Sequence, residues 1–267
     1  MAVFSFRSVA WLAFFASIIA AWVMMFMMAV GMDLDLIGRP GPMAEKMRLM
    51  TPGMSLGEGA MMSMDRFSPL FAMWAIMMAA MMLPTMVPTL RAYEDLIKSA
   101  NGSTRGWIGV LIGYSVVWVG FAAVITSVQL ALLYGGVIDM LGIARSTLVS
   151  GGLLTIVGLF QFTRAKEICH GVCHSPMSYF LGHWKPGGRG GIRMGLGMGA
   201  FCVGCCWGFM ALGFVGGVMS LLWMGLATLF MVLEKLPQIG HVVVRPMGII
   251  LIAAGVAVMA MPLFMGG

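Results

Sequence analysis

Val9-Ala-Trp-Leu-Ala-Phe-Phe-Ala-Ser-Ile-Ile-Ala-Ala-Trp-Val-Met-Met-Phe-Met-Met-Ala-Val30 contains no charged residue and no alternation of polar with apolar side chains. An apolar run of 18 or more residues reads as a membrane-crossing helix, whereas a barrel strand would alternate over about ten residues. The run exceeds a signal-peptide core, and no small-residue cleavage pattern follows it, so it is expected to stay as a first helix. Further runs of the same kind lie at 68–90, 107–134, 146–163, 194–213, 217–236 and 247–265, the first span being 9–32. The expected fold is therefore all-α: a polytopic bundle of about seven transmembrane helices forming one domain over residues 1–267.

Composition agrees. Of 267 residues, 60% are hydrophobic and 10% are charged. A soluble domain carries roughly 25% charged residues, so this chain lacks the polar surface that water demands. Its net charge of +6 resides mainly between the apolar runs, which favours lipid headgroups over nucleic acid as its counterpart. With the N-terminus inside, 11 basic residues, among them Lys166 and an interfacial Lys235, fall in inner segments and 5 in outer ones. That bias predicts N-terminus in, C-terminus out, in the inner (cytoplasmic) membrane of a bacterium. Two long connections follow: an outer loop at 33–67 and an inner loop at 164–193, the latter ending in the flexible-looking Lys185-Pro-Gly-Gly-Arg-Gly-Gly191. Pro84 and Pro88 fall inside the second span and predict a kink there.

Sulfur carries the chemistry. Cys202-Val-Gly-Cys-Cys206 places three thiols along one face of the fifth span, at offsets of three and four residues. Cys169-His-Gly-Val-Cys-His174 places Cys169 and Cys173 one helical turn apart, with His170 and His174 beside them, in the inner loop. Thiolate and imidazole are ligands of copper and zinc. A Cys-x-x-x-Cys-His order is unsuited to haem attachment, which needs one residue fewer, and five cysteines do not suggest a disulfide framework. There are 31 methionines, with Met24, Met28 and Met32 at helical spacing on the first span and Met73, Met77 and Met81 on the second, Met78 and Met82 beside them. Met43, Met47, Met50, Met54, Met61, Met62 and Met64 populate the outer loop. Thioethers suit Cu(I), although such a stripe is equally what helix packing uses. Met77, Met78 and Met81 are the methionines nominated as ligands. Phosphate-binding loops, nucleophile elbows and paired carboxylates are absent, so catalysis has no sequence signature here.

These residues resemble a bacterial family of unknown function described as predicted metal-binding integral membrane proteins. The likeness lies in Met78-Ala-Ala-Met-Met-Leu-Pro84, Cys169-x-x-x-Cys173-x-Ser-Pro176, Cys202-Val-Gly-Cys-Cys-Trp207, Gly217-Val-Met-Ser-Leu-Leu-Trp-Met224 and Glu234-Lys235, over residues 68–255. Met198 departs from it, since a more polar residue is usual there. The resemblance implies metal binding and no particular mechanism.

The expectation is thus a membrane protein that binds, and passes on, a soft metal ion, copper before zinc, drawing on a metal chaperone or a larger membrane complex as partner. Outer thioethers would hand the ion to Cys202, Cys205 and Cys206, and these to Cys169, Cys173 and the two histidines. The competing readings are a membrane metalloenzyme or thiol-redox protein, and a structural subunit of a membrane complex.

Overall fold

The computed structural model describes residues 6–39, 41, 65–100, 102–139, 141–236 and 239–265. Most of the outer loop, with its seven methionines, lies outside them. Among the described residues the chain is helical, with an isolated bridge between Ile138 and Ala144 and no strand. Among the described residues five helical segments are long and apolar enough to cross a membrane: Arg7–Gly31, Phe67–Ile97, Thr104–Tyr134, Gly187–Gly216 and Val242–Pro262. A sixth arises if Thr147–Phe160 and Arg164–His174, bent by 64° at their junction, are taken as one. The remaining candidate, Leu221–Glu234, has 14 residues and spans about 21 Å, short of a 30 Å hydrocarbon core.

Helix α1 (Phe6–Gly31) buries Phe14, Ala21, Met25 and Ala29 and exposes Leu12, Phe15, Ile19, Val23 and Met27 on its other side. An outward face built of large apolar groups is what lipid contact requires. It packs on α2 (Phe67–Met82), whose Met73, Met77, Met78, Met81 and Met82 are all buried. The first-helix stripe fares differently: Met24 is exposed, and Met28 and Met32 are half-buried.

The predicted kink is a change of helical type within one span. Pro84 has no amide to offer, so α2 stops, a single 3-10 turn covers Pro84–Met86, and α3 runs Val87–Ser99. The Met86 amide turns to the Leu83 carbonyl at 2.9 Å. The Met82 carbonyl accepts instead from the Thr85 hydroxyl at 2.8 Å.

Helix α4 (Thr104–Tyr134), capped by the Ser103 hydroxyl, runs parallel to α8 (Gly187–Ala211). The two backbones nearly touch. A Cβ at Gly191 would fall on the Gly106 carbonyl, one at Gly195 on the Val110 carbonyl, and one at Gly113 on the Ile192 carbonyl. Small residues at every turn let helices approach without a hydrophobic driving force. This explains a departure from the sequence reading: Gly187, Gly188, Gly190 and Gly191 are the first turns of α8, where Gly187 supplies a positive φ of 80° and the missing side chains of Gly190 and Gly191 leave room for the Lys185 and Gly106 carbonyls.

Helix α5 (Thr147–Phe160) packs antiparallel on α11 (Gly240–Met265) by the same device, with Gly151 against Gly255 and Gly158 against Gly248. The inner loop is also largely helical, as α6 (Arg164–His174, capped by Thr163) and α7 (Pro176–His183). A short turn, α9 (Gly213–Gly216), and the positive φ of Gly217 at 92° reverse the chain before α10 (Leu221–Glu234), capped by Ser220.

Candidate metal centre

Three broken or terminated helices meet at the cysteines of α8. Cys202, Cys205 and Cys206 are 0–2% exposed, and α6 lies across α8 so that Cys173, 3% exposed, joins them. The sulfurs of Cys173, Cys202 and Cys205 all lie within 4.8 Å of one another. Cys205 Sγ stands 3.8 Å from Cys173 Sγ and 3.3 Å from Cys206 Sγ. With metal–sulfur bonds of about 2.3 Å, a planar three-sulfur site has sulfurs about 4.0 Å apart. The group fits a soft cation without rebuilding the backbone. No carboxylate belongs to it.

The sequence separates these cysteines into two stations; the fold makes one. Cys169, one turn earlier on α6, is half-buried, and its sulfur lies over Gly204. His170 turns to the Glu234 backbone carbonyl at 2.8 Å and stacks on His174 with ring centroids 5.3 Å apart. The imidazoles thus line the approach from α10 and α11. Met77, Met78 and Met81 occupy the buried face of α2, with Met78 and Met82 beside Tyr114 and Trp118 around a small apolar cavity.

Charged groups surround the sulfurs, and the sequence places none of them there. Lys235, expected at the inner interface, is 5% exposed. Its ammonium donates to Cys202 Sγ at 2.9 Å and to Thr85 Oγ1 at 2.9 Å. Tyr114 OH lies 3.0 Å from the same sulfur and 3.1 Å from Thr85 Oγ1. Lys166 and Glu234, each 1% exposed, form a buried ion pair, and the Lys166 ammonium also donates to the Cys205 carbonyl at 2.8 Å. A buried charge is tolerated only when paired and hydrogen-bonded. Lys166 has its carboxylate; Lys235 faces sulfur, which as thiolate supplies the opposite charge. The available signals were the Glu234-Lys235 pair ending an apolar run and a threonine between Pro84 and Met86.

Beside Lys166 a polar cleft of about 560 Å³ opens between α6 and the start of α11, lined by Gln161, Thr163, Glu167, His170 and Arg245. It reaches Lys166, whose ion pair with Glu234 backs the thiols.

Helices of membrane-crossing dimensions around an enclosed cluster of soft donors define a class: helical proteins of multi-pass dimensions with a buried thiol group that could hold a metal ion. The chain belongs to the PpoB2 family of copper chaperones, which matches residues 71–258 and so takes in all five cysteines and both buried lysines. No curated protein and no solved structure matches it.

Proposed function

We propose that this protein is a multi-pass membrane copper chaperone that holds Cu(I) on Cys173, Cys202, Cys205 and Cys206 and passes it to a protein partner. The observation that carries this reading is the buried group of three sulfurs from two helices, closed off from solvent and backed by a cation. Family membership supports copper over zinc, while the all-sulfur donor set suits either ion. Cys169, His170 and His174 stand on the route between the cluster and the inner face. Met77, Met78 and Met81 serve on the opposite side, as thioethers facing incoming copper.

In this reading residues 1–267 form one membrane domain of seven spans in the bacterial inner membrane, α10 being the short one, with the N-terminus inside and the C-terminus outside. The directions of the helices support it: α4 and α8, both outward-running in that scheme, are parallel, and α5 and α11 are antiparallel. The charge bias persists without Lys166 and Lys235, which are buried rather than facing headgroups, leaving nine inner basic residues against five outer.

Elemental analysis of the purified chain loaded with Cu(I) tests the site. Wild type is expected to retain copper through desalting, and a Cys202→Ser/Cys205→Ser/Cys206→Ser variant to lose it. Equal copper in both would refute the assignment.

A further inference from the structure

We propose that the same cluster reduces copper, with Cys173 and Cys205 giving one electron each to two Cu(II) ions and closing a disulfide between α6 and α8. This rests on the copper reading and adds an activity to it. All five cysteines are free, so the electrons are present. The Cys173 and Cys205 sulfurs stand 3.8 Å apart on different helices, and a disulfide bond of about 2.05 Å is reached by turning side chains through the remaining gap.

The alternatives are worse. Cys205 and Cys206 are nearer, at 3.3 Å, but adjacent residues have Cα atoms about 3.8 Å apart, below the roughly 4.4 Å that a disulfide needs. Cys202 is held by Lys235 and Tyr114. After closure, Cys202 and Cys206, one turn apart on α8, still offer two sulfurs to the Cu(I) just made. Two electrons can therefore leave the cluster without dismantling it.

The step balances. Two S–H bonds break and one S–S bond forms; two Cu(II) become two Cu(I); two protons leave to water by the cleft beside Lys166. Thiolate ligation favours the cuprous product, which draws the electron transfer forward. Two equivalents of a low-molecular-weight thiol, leaving as its disulfide, restore the dithiol.

The test uses the full chain in detergent, without oxygen, given Cu(II) sulfate and a Cu(I)-specific chromogenic chelator. Wild type is expected to yield two Cu(I) per chain, its free thiols falling from five to three. Peptide mapping should recover a Cys173–Cys205 crosslink. Cys173→Ser and Cys205→Ser should each abolish the fast phase of Cu(I) production, and Ser127→Ala, on the exposed side of α4, should leave it unchanged. Should either variant not fold, the crosslink map of wild type decides. Intact thiols after Cu(II), a crosslink between another pair, or reduction by Cys173→Ser at the wild-type rate would overturn the proposal. A parallel Cu(I) titration separates the two ideas: binding without reduction sinks this one alone, whereas no Cu(I) binding sinks the chaperone reading.

Discussion

Replacing Lys166 by methionine isolates what holds α6, and with it Cys173, against the thiols of α8. Both members of the Lys166–Glu234 pair are 1% exposed, so the substitution strands a buried carboxylate that keeps only the His170 ring, 4.0 Å away, in place of the ammonium. Removing one partner of a buried pair costs about 3–5 kcal/mol, because the survivor's desolvation is no longer offset. The Cys205 carbonyl also loses its 2.8 Å donor. That loss overlaps the first and is not added to it. Lys166→Met is therefore expected to destabilise by about 3–5 kcal/mol, while Lys166→Met/Glu234→Met recovers at least about 2 kcal/mol of it, since two apolar groups of similar volume are often neutral in place of an ion pair. Equilibrium unfolding of wild type, the single variants and the double variant in mixed micelles measures the coupling. Maleimide labelling provides a local reading, because Cys173, 3% exposed in the wild type, should label faster once α6 loosens. A cost below about 1 kcal/mol, or additivity of the two single substitutions, would show that the pair does not pin α6.

Other outcomes follow from the same geometry. Gly195→Ala places a methyl group on the Val110 carbonyl and forces α4 and α8 apart, costing about 1–3 kcal/mol in thermal unfolding. Gly120→Ala, on α4 with nothing within 4 Å of the added carbon, should instead gain about 0.5–1 kcal/mol from helix propensity. Gln129→Leu removes the acceptor 2.6 Å from the buried Trp74 indole and should cost about 1–3 kcal/mol, much of it recovered in Trp74→Phe/Gln129→Leu, again by thermal unfolding. A reporter active only outside the inner membrane should score when fused after residue 265 and stay silent when fused before Phe6; the reverse would invert the topology.

The long apolar helices were legible because lipid leaves composition little freedom: a backbone without water must be helical, and the helix must be coated in apolar groups. Val9–Val30 announces α1 for that reason. What misled was glycine. Lys185-Pro-Gly-Gly-Arg-Gly-Gly191 looks like a linker by propensity, yet close contact with Gly106 and Gly109 makes it helix. The cysteines were legible as a chemical type and not as an assembly. Cys173 and Cys205 are 32 positions apart, and only the fold of α6 across α8 reveals that they share one site. Lys166 and Lys235 read as topological charges because nothing in their immediate neighbours separates a headgroup contact from a buried partner.

The breaks in the helices explain why so polar a group of side chains can exist within an apolar chain. The α2 break at Pro84 frees the Met82 carbonyl and brings Thr85 to Lys235. The bend between α5 and α6 lets Lys166 turn inward to the Cys205 carbonyl. The end of α10 delivers Glu234 and Lys235 together, and the Glu234 carbonyl meets the His170 ring nitrogen at 2.8 Å. Each interruption supplies backbone acceptors and a polar side chain at the place where α8 presents three thiols. Irregular backbone inside a membrane is tolerated where protein buries it or a wet cavity meets it, and here both conditions hold. Restoring α2 to a continuous helix, as Pro84→Ala would favour, should therefore strengthen the helix and weaken the site: Thr85 would rotate away from Lys235, and the retained Cu(I) should fall although the protein melts no lower. Copper retention that is unchanged in a variant shown to be more helical would separate the break from the site.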